Sequence, residues 1–186
     1  MAINSGVTRV IDYCHVTHTP AKMEAAAHGA VDSGIGGVNC PQLSGTVPFG
    51  PGDTVDFKTA WNTMRGPADD WHFEMAEKLR DELFSDSEAP LQFGVAHSSA
   101  EGGASRKSIH AEWARAQALE PKMMTGHVSG RPAGKVAEYR VVPDLIKAGL
   151  LRDNYIVGHG NGLTDDELII LRDGGAGVGS TPRSDV

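Results

Sequence analysis

The feature of the sequence that most constrains the fold is an alternation between short apolar runs and longer segments with helical periodicity. The apolar runs are bounded by glycine or proline and predict strands at residues 6–14, 35–40, 91–96, 122–126, 155–157 and 176–180. Helices are predicted between them at residues 20–34, 69–84, 105–119, 142–151 and 164–173, with a further short helix at 57–64. Such alternation is typical of a parallel sheet whose faces are covered by helices.

The segment at residues 154–185 shows this rhythm most clearly. A short apolar strand ends at His159, so a polar ring follows the strand directly. Thr164 and Glu167 form a T-x-x-E pattern before an apolar run, which predicts a capping box at the start of a helix. Gly174 then ends the helix, and a second strand of small residues follows. The segment is therefore predicted to be one βαβ unit, with its polar groups at the carboxyl ends of the strands.

Six strands fit two architectures, and the strand count alone leaves both open. One is a doubly wound open sheet, and the other is an incomplete TIM-type (β/α)8 barrel in which two units are missing. No linker-like break interrupts the alternation, so we expect a single domain over residues 1–186. The glycine- and proline-rich stretch at residues 41–54 exceeds the usual length of a connection, which predicts a functional or capping loop.

Charge and composition restrict the partners of the chain. Its formal net charge of -7 argues against a nucleic acid or an anionic membrane as partner. No apolar run approaches the roughly 20 residues that a membrane span needs, and the N-terminus shows no pattern of a signal peptide. The two cysteines, Cys14 and Cys40, are too few for a disulfide framework, so we expect a protein of the reducing cytoplasm.

Four of the eight histidines fall at or just beyond the ends of predicted strands: His15, His97, His127 and His159. In one parallel sheet these strand ends meet at a common edge, and neutral imidazoles that converge there are good ligands for a divalent metal. The pattern does not decide which of the four would bind. Three further histidines, at positions 28, 72 and 110, lie within predicted helices, where we expect surface or boundary residues without a special role.

Several stretches of the chain resemble successive strands of one enzyme family. Residues 158–185 read GHGNGLTDDELIILRDGGAGVGSTPRSD, and residues 125–130 read TGHVSG. Upstream, residues 6–20 read GVTRVIDYCHVTHTP, and residues 33–40 read SGIGGVNC. Together these stretches resemble strands two, three, five, six and seven of the amidohydrolase superfamily, in its cytosine-deaminase and triazine-hydrolase branch. The resemblance implies that the chain covers about barrel strands two to seven of a (β/α)8 barrel.

The resemblance also implies a chemistry. Members of the family hold Zn²⁺ or Fe²⁺ and use a metal-activated water to hydrolyse a C–N, C–O or C–halogen bond of a small cyclic molecule. Matched onto this chain, His127 and His159 would be metal ligands. His15, His97 and Ser184 would contact the substrate at the mouth of the barrel.

The sequence departs from the family pattern at three places. It contains no H-x-H pair, and no residue after Val186 supplies the aspartate of the last strand. Gly130 stands where the deaminases carry a glutamate. We therefore expect an internal fragment that is inactive alone, and one that associates or aggregates through exposed barrel edges.

Two other interpretations remain open at this point. The first is a non-catalytic, truncated or degenerate protein, because two histidines are fewer than the three protein ligands of catalytic zinc sites. The second is an unrelated open-sheet α/β protein that binds a phosphorylated ligand. Such a protein would need a glycine-rich loop after the first strand, where this chain has CHVTHTP, and Gly174 to Gly177 precede a strand rather than a helix.

Overall fold

The structure is a computed structural model that describes residues 2–45, 47, 50, 52–64, 67–97, 106–128, 141–160 and 162–180. After a short 3-10 helix at Ile3–Ser5, the elements are β1 (Arg9–Cys14), α1 (Pro20–Asp32), β2 (Gly36–Leu43), α2 (Phe57–Met64), α3 (Asp70–Leu83), β3 (Leu91–His97), α4 (Arg106–Ala118), β4 (Met123–Val128), α5 (Val141–Lys147), β5 (Tyr155–His159), α6 (Asp165–Asp173) and β6 (Gly177–Gly179).

The six strands form one parallel sheet in the order β1-β2-β3-β4-β5-β6. This order is sequential, whereas a doubly wound open sheet reverses its strand order at a switch point. The sheet also curls: the rings of Tyr13 on β1 and His127 on β4 stack with centroids 4.0 Å apart, although two strands lie between β1 and β4. The structure therefore confirms an α/β fold with an incomplete TIM-type barrel, and the open-sheet interpretation is wrong.

The outer face of the sheet packs against the helices and forms the main hydrophobic core. Alternate residues of each strand point to this face, as the period of two requires. Trp113 of α4 lies at the centre of this layer, where its indole N–H donates to the Leu150 carbonyl oxygen at 2.8 Å. Its ring also meets the ring of Tyr155 edge-on, with centroids 4.8 Å apart. The buried strand residues of this layer include Phe93, Val95, Met124, Tyr155 and Val157.

The inner face of the curled sheet carries a second, smaller cluster. Val38, Cys40 and Ala96 are buried there, and Tyr13 and Met123 pack against them. Small residues are required at this face because the curl brings the strands close together. The clearest case is Gly94 on β3: a Cβ at this position would lie 2.5 Å from both the Cys40 Sγ and the Val38 Cγ1.

Side-chain caps fix where two helices begin. Thr19 accepts a hydrogen bond from the Lys22 backbone N–H, and Pro20 occupies the first turn of α1, where no helical N–H is needed. At α6 both bonds of the predicted capping box are present: Thr164 accepts from the Glu167 backbone N–H, and Glu167 accepts from the Thr164 backbone N–H. The capping box is therefore confirmed.

Several boundaries differ from the sequence prediction, and three of them have a clear local cause. The first strand begins only at Arg9, because Gly6 has a φ of 84° and ends the short 3-10 helix before it. Residues 41–43, assigned to a loop, continue β2, because Gln42 pairs with Ala96 and extends the ladder along β3. Helix α5 ends at Lys147 rather than at residue 151, because Gly149 adopts a left-handed conformation with a φ of 69°.

Among the residues that the structure describes, no helix is long and apolar enough to cross a membrane.

We expect Gly94→Ala to lower the free energy of unfolding by about 1–3 kcal/mol, because the added methyl group overpacks the inner face against Cys40 and Val38. The matched control is Gly29→Ala on α1, where a Cβ would meet nothing within 4 Å. Alanine favours the helix there, so the control should raise stability by up to about 1 kcal/mol. Urea unfolding followed by circular dichroism measures both changes, and equal effects at the two sites would contradict the tight inner face.

Candidate active site

A cavity of about 270 Å³ opens at the carboxyl end of the sheet, on its inner face. Parallel barrels place their ligand and catalytic groups at this end, because loops that follow every strand meet there. The walls combine apolar side chains with imidazole rings and hydroxyl groups. The lining residues that the structure describes are Ile11, Tyr13, Thr125, His127, Ile156, Gly158, His159, Gly179 and Ser180.

Three of the four strand-end histidines come together, and two of them, His127 and His159, line this cavity. The ring centroids of His127 and His159 are 4.8 Å apart, and those of His15 and His127 are 5.7 Å apart. His127 and His159 lie on neighbouring strands, and His15 follows β1 directly. The ring of Tyr13 stacks on His127 at 4.0 Å and lies 4.8 Å from the ring of His15. The four rings form one cluster, which we call the ring cluster.

Two backbone features make room for the ring cluster. Gly158 is the β5 partner of His127, and a Cβ at Gly158 would lie 2.9 Å from the His127 Cδ2 atom. The missing side chain therefore leaves space for the imidazole. His159 has a φ of 68°, which is a left-handed conformation that residues other than glycine rarely adopt. Gly160 follows with a φ of 78°, so the chain turns away from the sheet as soon as β5 ends.

His127 is held as a neutral imidazole at neutral pH. Its pKa is lowered to about 4, chiefly by burial and also by the nearby His159 and His15 rings, because a second positive charge there would be repelled. A neutral imidazole keeps a nitrogen lone pair, which is the form that binds a metal ion. The ring is therefore ready to act as a ligand without first losing a proton.

His15 is oriented by Gln42, a buried residue of β2. The His15 Nδ1 atom lies 2.5 Å from the Gln42 Oε1 atom. Because a carboxamide oxygen only accepts hydrogen bonds, the Nδ1 atom carries the hydrogen and donates it. In the neutral ring the Nε2 atom then holds the lone pair. His15 thus adds an acceptor nitrogen to the ring cluster.

Sequence reasoning missed Tyr13 and Gln42. A signal for Tyr13 was present, since it precedes His15 by two residues and so shares its strand face. Gln42 was assigned to a loop, and only the extension of β2 shows that it faces His15.

His97 is not brought to the cavity. Its side chain is buried on the outer face of the sheet, where its ring meets Trp113 edge-on with centroids 4.4 Å apart. The neighbouring Ala96 points to the inner face, so alternation turns His97 outward. The contact of His97 with substrate, expected from its position, has no support in this geometry. Ser184 and Gly130 lie outside the described residues.

One helix histidine differs from expectation. His72 on α3 is buried rather than at the surface, and its Nε2 atom donates to the Thr17 carbonyl oxygen at 3.1 Å. Burial lowers its pKa, which favours the neutral ring. His72 thereby ties α3 to the connection after β1, which carries His15.

The ring cluster fits two positions of a metal site. Two imidazoles bound to one tetrahedral zinc ion through bonds of about 2.1 Å have ring centroids roughly 5 Å apart, which matches His127 and His159. Within the described part of the chain, no group of three or more histidine, cysteine, aspartate or glutamate side chains is arranged to hold a metal. The described residues thus do not group the three protein ligands that catalytic zinc sites use.

No family model matches the sequence, and no curated protein matches it significantly. Solved structures do share the fold. An adenosine deaminase from Xanthomonas campestris with bound zinc is similar at a TM-score of 0.68 with 19% identity, over 98% of this chain and 37% of that one. An amidohydrolase from an environmental sample of the Sargasso Sea has the same TM-score and identity, over 98% of this chain and 41% of that one. A guanine deaminase from C. acetobutylicum with bound guanine gives a TM-score of 0.65 at 14% identity, over 98% of this chain and 41% of that one.

The chain thus spans about two-fifths of the length of these structures. Its fold matches part of each of these structures over 98% of this chain. The resemblance seen in the sequence is therefore confirmed at the level of the fold.

The buried His97 predicts a loss of stability in acid. Burial lowers its pKa to about 4 in the folded chain, whereas an unfolded histidine titrates near about 6.5. As pH falls through this window, the unfolded chain binds a proton that the folded chain excludes. The free energy of unfolding should therefore drop by up to about 3 kcal/mol by pH 4.

His97→Phe keeps an aromatic ring against Trp113 but cannot be protonated. The variant should therefore lose the part of the acid destabilisation that comes from His97. The measurement is the free energy of unfolding in urea at a series of pH values from 7.5 down to 4. The variant should still lose some stability in acid, because burial also lowers the pKa of His127. A variant whose pH profile matches that of the unaltered chain would show that another group carries the effect.

Proposed function

We propose that this chain forms part of the catalytic barrel of a metal-dependent amidohydrolase that hydrolyses a C–N bond of a small cyclic molecule. The observation that carries the proposal is the convergence of His127 and His159 on one cavity, at the carboxyl ends of neighbouring parallel strands. The shared fold supports it, since solved structures with this fold include an adenosine deaminase with bound zinc and an atrazine chlorohydrolase complexed with zinc and atraton.

In this proposal His127 and His159 hold one divalent ion, Zn²⁺ or Fe²⁺. When bound, such an ion lowers the pKa of its water to about 7 and so provides a nucleophile at neutral pH. The donor set suits the role, because His127 is neutral and both rings lie at the separation of two ligands. Further ligands would have to come from outside the described residues.

The rest of the cavity suits a small substrate. Its volume of about 270 Å³ is close to the lower end of ligand sites, which span about 300–1,000 Å³. Ile11 and Ile156 offer apolar walls for a ring, and the Thr125 hydroxyl is the kind of polar group that fixes orientation. His15 would contact the substrate through its Nε2 atom, which accepts hydrogen bonds. The role of Ser184 as a substrate contact stays a prediction, as do the C–O and C–halogen alternatives for the bond and the cytoplasmic location.

A non-catalytic protein with the same fold is the second candidate. Two observations favour it: the described residues hold no group of three or more side chains arranged to bind a metal, and the sequence contains no H-x-H pair. Gly130 in place of a glutamate points the same way, because that position would otherwise supply a proton shuttle. Metal binding separates the two candidates.

We expect the purified chain to bind about one equivalent of zinc, and His127→Ala or His159→Ala to weaken that binding by more than about 100-fold. The control is His28→Ala, since His28 is exposed on α1 and should leave zinc affinity unchanged. Elemental analysis after dialysis and titration against a competing chelator measure the two quantities. Absence of zinc from the unaltered chain, or equal affinity in all three variants, would favour the non-catalytic candidate.

We also expect the chain to self-associate. In the described sheet, β1 pairs only with β2 and β6 pairs only with β5, so each leaves one edge unpaired. Ile11 on β1 is 45% exposed and Val178 on β6 is 41% exposed, which adds apolar surface at both edges. Light scattering behind size-exclusion chromatography should show dimers or larger species. A monomer that unfolds in one sharp transition would contradict this expectation.

A further inference from the structure

We propose that Tyr13 is a positioning residue for His127: its ring holds the imidazole in the orientation that presents a nitrogen atom to the cavity. The proposal deepens the proposed function, because His127 is there a metal ligand. The stacking of Tyr13 on His127 is seen in the structure and does not depend on metal binding. Tyr13 is outside the histidine pattern of the sequence and belongs to a strand on the far side of the cavity from β4.

The contact between the two rings is the closest in the ring cluster. Tyr13 and His127 have centroids 4.0 Å apart and planes inclined by only 20°, so they lie face to face. His159 and His15 approach His127 at 4.8 Å and 5.7 Å, with inclinations of 59° and 52°. Tilted neighbours restrict the direction of a ring weakly, whereas a parallel ring covers one whole face of it.

Tyr13 itself is firmly held. It lies near the end of β1 in register with Cys40 of β2. Its ring packs against the buried cluster of Val38, Cys40 and Ala96 on the inner face of the sheet. A support that is fixed on one side by the core can fix the orientation of the ring on its other side.

The neighbouring strand leaves the His127 ring room to turn. Its partner in the β5 register is Gly158, which has no side chain to limit rotation of the imidazole. Rotation of the ring about its Cβ–Cγ bond would drive one edge into the face of Tyr13. The stacked arrangement thus restricts the plane of the imidazole and the direction of its nitrogen atoms.

The ring of Tyr13, rather than its hydroxyl group, carries this role. The Tyr13 hydroxyl oxygen is buried and has no hydrogen-bond partner among the residues that the structure describes. Removing a buried hydroxyl without a partner is close to neutral for stability. Phenylalanine should therefore replace Tyr13 without loss, whereas an aliphatic residue of similar bulk should not.

The test compares Tyr13→Phe with Tyr13→Leu in the full chain, first without metal. Nuclear magnetic resonance of the histidine ring protons reports the stacking, since an aromatic face shifts protons above it upfield. We expect upfield His127 signals, assigned by their loss in His127→Gln, in the unaltered chain and in Tyr13→Phe. In Tyr13→Leu they should move to ordinary positions.

Zinc affinity, measured against a competing chelator, gives the second readout. Tyr13→Phe should match the unaltered chain, and Tyr13→Leu should bind zinc about 10-fold more weakly, as removal of a supporting residue behind a ligand typically does. Equal affinity in all three proteins would overturn the positioning role.

The two proposals fail in different ways. Ordinary His127 shifts in the unaltered chain would overturn the role of Tyr13 even if Tyr13→Leu does not fold, and they would leave zinc binding intact. An unaltered chain that shows the upfield shifts but binds no zinc would overturn the proposed function and preserve the stacking.

Discussion

The curl of the parallel sheet is the constraint on which the rest of the structure depends. A parallel sheet is buried on both faces, so the side chains of each face must fit the space available on that side. Here the bulky residues lie outward, against Trp113 and the helices. The inner face of β3 carries the small residues Gly94 and Ala96, and at Gly94 even a methyl group would collide with Cys40 and Val38. The strands can therefore bend round until β1 meets β4, where Tyr13 stacks on His127.

The candidate site is a product of the same curl. In a flat sheet, β1 and β4 would lie three strand spacings apart, or about 14 Å, since neighbouring strands lie about 4.8 Å apart. The ring centroids of Tyr13 and His127 are only 4.0 Å apart. Curling brings the rings of His15, His127 and Tyr13 into one cluster. The shared direction of the strands then places these rings at the carboxyl end of the sheet. The candidate site therefore depends on the fold, because the curl of the sheet brings together rings that do not belong to one local sequence motif.

The contrast between His97 and His127 shows why one strand-end histidine reaches the candidate site and another does not. Both lie near the carboxyl end of a strand, and the pKa of both is lowered to about 4, chiefly by burial. They differ in face: His127 points inward next to Tyr13, whereas His97 points outward against Trp113. A shift of one residue in a strand reverses the face of every side chain. Sequence periodicity locates strand ends only to within one or two residues, so it cannot make this distinction.

The sequence by itself determined the alternation of strands and helices, the capping box of Thr164 and Glu167, and the placement of His127 and His159 at strand ends. These features are local, since they follow from periodicity and from short-range hydrogen bonds. Only the tertiary structure decided that the sheet curls, that His97 lies outside the site, and that Gln42 and Tyr13 orient His15 and His127. Those outcomes depend on contacts between strands that are distant along the chain, and such contacts are fixed by packing rather than by any local pattern of residues.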